Sequence, residues 1–248
     1  MCIRVRITLL LRNQHLLVHL TRPFQLRPDF GMIRLILRLG VPNGLENSVF
    51  QLGKILVLNL VAVFGTASIA ANAVANSLTS FQVLPGMAIG LALLTVIARC
   101  VGAGDYEQAR YYNRKLMLIS YGLILVSNVL FYFLLPLALQ MYHLTPETTV
   151  LARKVILLHG GCSIVIWSAS FTLPNTLRAA GDVKYTMVIS LLSMWIWRVA
   201  FSYVLGQWLD LGLVGIWIAM IIDWAVRAVF FLWRYWRRKW EKIKVIEN

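Results

Sequence analysis

Charge is scarce in this sequence of 248 residues: only 14% are charged and 59% are apolar. Soluble domains average about 25% charged and about 45–50% apolar, so a water-surrounded surface is excluded for most of the chain. Acids are scarcer still, 10 against 24 Lys and Arg, for a net charge of +14. Three cysteines, Cys2, Cys100 and Cys162, share no metal or redox spacing, which excludes a disulfide framework and a zinc site of the usual kind. There is no His-Glu-x-x-His, no Gly-x-Ser-x-Gly and no pair of acids at catalytic spacing, so enzyme chemistry has no motif to stand on and no cofactor is called for.

What the chain does have is apolar runs of about 20 residues, each long enough to cross roughly 30 Å of hydrocarbon. They predict an all-α membrane protein with six transmembrane helices, at about 41–64, 69–100, 116–139, 151–175, 184–206 and 213–236. A basic N-terminal segment of uncertain structure (1–27) precedes the spans, which fall within 28–236, and a basic tail (237–248) follows. Asp29 is placed to cap a short amphipathic surface helix ending at Leu39. Thr145-Pro146-Glu147 reads as an N-cap, a first-turn proline and a first-turn acid. Gly104-Asp105 and Gly181-Asp182 read as a left-handed stop followed by a cap for the next helix. Lys and Arg gather at the two ends, in Arg99–Lys115 and in Arg178–Lys184. That placement follows the positive-inside rule, puts both termini in the cytoplasm of a plasma-membrane protein, and removes the need for a nucleic-acid partner.

Inside the spans the rare polar groups stand out. Asn43, Glu46, Asn47, Gln51 and Lys54 fall within an arc of roughly 140° on the first helix. A carboxylate or ammonium at bilayer depth costs on the order of 2.5–3.5 kcal/mol to insert and persists only toward a bundle interior or a wet cavity. The stripe is therefore expected to line a cavity and meet a cation or substrate. For Glu46 the plainer alternative is neutralisation by another helix. Asn72 and Asn76 share a face with Thr79 and either line the same cavity or join helices. Arg198, Asp223 and Arg227 read as structural intramembrane charges, with Asp223 and Arg227 close enough at i,i+4 to pair and Asp223 a candidate partner for Arg198. His159 reads as a packed histidine, and Trp195 and Trp197 as interfacial residues or contacts for an aromatic substrate. Pro85 and Gly86 are expected to bend the second span, and Gly86 with Gly90 to admit a close neighbour.

Several of these pieces, in order, resemble the multidrug and toxin extrusion (MATE) family of efflux transporters. They are 40–48 (Gly-Val-Pro-Asn-Gly-Leu-Glu-Asn-Ser), 64–73, Gly102-Ala103-Gly104-Asp105 with Ala109-Arg110, Thr145-Pro146-Glu147, 177–182, and Gly215-Ile216-Trp217 with Asp223-Trp224 and Arg227. The resemblance covers the C-terminal six-helix lobe of a two-lobed architecture. It implies export of drugs or metabolites by proton or sodium antiport, with a small organic substrate, a lipid bilayer, and an N-terminal six-helix lobe or a second copy as partners. Cation sites in such lobes use acids on the first and fourth helices. Here Glu46 lies about one turn before the usual first-helix acid, and 151–175 holds no Asp or Glu, so the coupling ion stays open. An inactive fragment or membrane scaffold, and a lipid-linked saccharide flippase of the same superfamily, are the alternatives.

Overall fold

A computed structural model of the chain describes residues 30–243. The basic segment 1–27, Asp29 with the cap expected of it, and the end of the tail lie outside the described residues. The chain divides into two units, up to Gly40 and from Val41 onward, and the larger one carries all that follows.

Helices account for nearly all of it, and no strand occurs among the described residues. The helices are α1 (Phe30–Val63), α2 (Thr66–Gly102), α3 (Tyr106–Met141), α4 (Pro146–Ala179), α5 (Val183–Trp208) and α6 (Gly212–Trp236). Each holds a stretch long and apolar enough to cross a bilayer; in α1 it is Gly44–Val63. The six spans expected from the sequence are there, but the connectors are tighter. Arg99–Lys115, expected as a charged loop, is helical except for Ala103-Gly104-Asp105, because α2 runs on to Gly102 and α3 starts at Tyr106. The separate surface helix ending at Leu39 is not a separate element, since α1 is assigned without a break from Phe30.

Caps set most boundaries. The Asp105 carboxylate accepts the Gln108 amide at 2.9 Å, and Gly104 takes φ 75°, a conformation costly for any residue with a Cβ. Thr145 accepts the Thr148 amide, with Pro146 in the first turn. Asp182 corrects the expectation: its side chain caps nothing, because Arg234 Nε of α6 holds it at 2.7 Å. A charged partner outcompetes an amide for a carboxylate.

α4 and α6 are the most buried of the six spans. α2 packs on α3 and α4, α4 packs on α6, and α6 packs on α5. Gly86 is what lets α2 approach α4, since a Cβ there would lie 2.5 Å from the Trp167 ring. α2 is unbroken through Pro85. On α1, Gly53 leaves room for Met194 of α5. Three short stretches among the described residues have the wider π-helical winding, Ser168–Thr172 in α4 and Met194–Ala200 and Val204–Trp208 in α5. Such turns occur disproportionately at functional sites. After α6, Arg238 adopts a left-handed φ of 52° and turns the chain back. Trp240 is consequently buried against Tyr235 and Tyr106 rather than offered to a membrane interface as an anchor.

Candidate binding cavity

The site is built around an aromatic ring. Phe50 of α1 has Lys54 Nζ at 5.3 Å, Arg198 Cζ at 5.5 Å and Arg227 Cζ at 5.3 Å from its centroid, all within cation–π range. Lys54 comes from α1 one turn on, Arg198 from the first π-helical stretch of α5, and Arg227 from α6. Asp223, fully buried one turn before Arg227, accepts from Arg227 Nη2 at 3.2 Å and lies 3.9 Å from Arg198 Nη1. Its other oxygen accepts the Ser193 hydroxyl at 2.5 Å. Both guanidinium groups thus converge on one carboxylate, near the middle of their spans.

Two adjoining cavities of about 210 and 180 Å³ meet here and share Lys54, Asn76, Arg198, Trp217 and Met220. Asn72, Val57 and Leu58 wall the first; Phe50, Phe171, Trp167, His159 and Trp224 wall the second. Asn72 Oδ1 accepts the Trp217 indole N–H at 3.2 Å, so it also joins α2 to α6. The Asn76 amide donates to the Asn72 carbonyl at 2.8 Å, and the Thr79 hydroxyl to the Ala75 carbonyl at 2.7 Å. His159 is buried edge-on to Trp217 and Trp224, with Nδ1 2.9 Å from Gln82 Oε1.

The stripe on α1 divides. Lys54 reaches the cavities. Glu46 is buried and held by Arg178 Nη2 of α4 at 2.6 Å, away from the cavity lining. Asn47 and Gln51 are exposed and belong to neither cavity wall. The Asn43 side chain lies outside the described residues. Nor do Trp195 and Trp197 reach the cavities: Trp195 is exposed and Trp197 packs on Phe201. The indoles that do are Trp167, Trp217 and Trp224. No cluster of His, Cys, Asp and Glu able to hold a metal occurs among the described residues.

The MatE family model matches residues 42–204, about two thirds of the chain. The chain belongs to the MatE family. Among its relatives are the "Probable multidrug resistance protein NorM" of Thermotoga maritima, 27% identical over 90% of this chain and 49% of that protein, and that of Halalkalibacterium halodurans, 30% identical over 84% and 45%. A solved MATE in its bent conformation superposes with a TM-score of 0.81 at 18% identity, covering 94% of this chain and 52% of that one. This MatE-family chain therefore spans about half the length of the relatives it matches, and its fold is that of one six-helix lobe. The matched segment ends before α6, which supplies Asp223, Arg227, Trp217 and Trp224.

Sequence reading missed Phe50, Phe171, Trp217 and Trp224 as cavity residues, and Arg178 as the partner of Glu46. For Trp217 and Trp224 a signal existed, since both stand in motifs that carry the family resemblance, Gly215-Ile216-Trp217 and Asp223-Trp224. Phe50 carried none, being one apolar residue among many.

Proposed function

We propose that this chain is one lobe of a secondary active efflux transporter of the plasma membrane. It acts opposite a second six-helix lobe or a second copy of itself, with both termini cytoplasmic. The observation that carries this reading is the charged, aromatic-walled cavity at mid-membrane depth, in a chain whose relatives include proteins named for multidrug resistance. Binding at the midplane between lobes, with rocking to alternate access, is how such folds work. Export is driven by inward flow of protons or sodium. Glu46 is the acid through which a coupling ion communicates with α4, because displacing Arg178 would free its carboxylate.

Vesicles containing the chain together with a partner lobe test this. Drug gradients should drive cation movement, and the chain alone should insert without exporting, for want of an opposing wall. Absence of cation-coupled export in the two-lobe assembly would favour the scaffold reading instead. Export unchanged by Glu46→Gln would remove Glu46 from the mechanism while leaving the transporter.

A further inference from the structure

Three cations converge on one ring in the cavity, and the acids nearby do not balance them. Lys54, Arg198 and Arg227 each stand within 5.5 Å of the Phe50 centroid, so any two lie no more than about 11 Å apart, and salt screens buried or partly buried charges much less than exposed ones. Asp223 is shared between Arg198 and Arg227. The next acid, Glu46, is engaged by Arg178 at 2.6 Å. No carboxylate among the described residues lies within ion-pairing distance of Lys54, whose side chain is exposed.

Hydrogen-bonding capacity leans the same way. Arg227 Nε and the Trp224 indole N–H are buried donors without an acceptor. A buried donor left unmade is costly, and a guanidinium fork is matched by a planar or tetrahedral oxyanion. Against this stand two buried oxygens, Glu46 Oε2 and the Ser170 hydroxyl, and neither residue lines the cavities. The rest of the wall is aromatic: Trp217, Trp224, Trp167 and Phe171.

We propose that the cavity receives an organic anion, a carboxylate or phosphate carried on an aromatic or apolar body, with the oxyanion at Lys54 and Arg198, the two cations that line it, and the body against the indoles. This inference rests on the reading of the chain as a transporter lobe and names the charge of what that lobe handles. A cationic amphiphile would meet three like charges and displace none of them.

The test uses the full chain in nanodiscs of phosphatidylcholine and two probes of the same shape, 1-naphthoate and 1-naphthylmethylammonium, followed by titration calorimetry. Saturable naphthoate binding is expected, at least tenfold tighter than that of the ammonium probe. Lys54→Gln should weaken it about tenfold, and Lys54→Glu should abolish it, with unchanged elution and circular dichroism showing that both variants fold. Replacing a third of the lipid by phosphatidylglycerol identifies the source of the oxyanion. Loss of naphthoate binding there supports the site with a lipid headgroup as its occupant, and retention supports it with a free organic anion. Ammonium binding as tight as naphthoate, and tightened by Lys54→Glu, would overturn the polarity while leaving a substrate cavity in a transporter lobe. Saturable binding of neither probe would overturn the cavity as an anion site, while cation-coupled export in the two-lobe vesicles still decides the transporter reading.

Discussion

Two regions of the bundle handle charge in opposite ways. At the end where the Gly44–Val63 span of α1 and helices α3 and α5 begin and α2, α4 and α6 finish, each of three acids has one base: Glu46 with Arg178 at 2.6 Å, Asp182 with Arg234 at 2.7 Å and Glu241 with Arg110 at 3.0 Å. These pairs tie distant segments together, one base to each acid. At mid-membrane depth three cations face one carboxylate. A buried pair is already a weak source of stability, and an unbalanced cluster is weaker still. Stability alone does not account for Lys54, Arg198 and Arg227 around Phe50. On the proposal made above, the one-to-one pairs serve the architecture and the three-to-one cluster serves binding.

Removing acids tests this contrast most strongly at the centre. Asp223→Asn would leave two buried guanidinium groups without counter-charge and should lower stability by about 3–5 kcal/mol, read as a shifted unfolding midpoint in mixed micelles. A smaller cost than for any end pair would reverse the comparison. Glu46→Gln breaks a charge-assisted bond to a partner that remains partly solvated, so the same titration should show about 1.5–3 kcal/mol. Glu241→Gln touches a more exposed pair and should cost only about 0.2–1 kcal/mol, reduced further by added salt. Lys54→Gln should stay within about 0.5 kcal/mol of the parent. It removes a cation that no described carboxylate balances, so its effect belongs in ligand binding and not in folding.

The fold was legible because its signals are local. Apolar runs, the Asp105 and Thr145 caps and the glycines at 104 and 181 act within a turn or two, and six spans follow from them. Span limits came out too short, because charged residues such as Arg110, Arg114 and Lys115 sit on helix extensions beyond the apolar run. The cavity was legible in part. The spacing of Asp223 and Arg227 suffices to bring them together, and Lys54 stands out as a lone ammonium in an apolar helix. Periodicity placed Glu46 and Lys54 on one stripe, yet α1 presents them at different depths to different neighbours, Arg178 and the Phe50 cluster. Which helix meets which is a tertiary fact. For the same reason Asp182 was assigned a local cap when Arg234, 52 residues away, holds it.

Solvent access and potential at the cavity decide the account most directly. A single cysteine at Asn76→Cys, in a background with Cys2, Cys100 and Cys162 replaced by serine, sits on the wall shared by both cavities. It can be reacted with anionic and cationic water-soluble methanethiosulfonates. Each rate is normalised to that at an exposed Ala103→Cys. The expected result is labelling by both reagents, with the anionic one favoured at the cavity. No labelling, or a preference for the cationic reagent, would contradict a wet, positively charged groove inside the membrane.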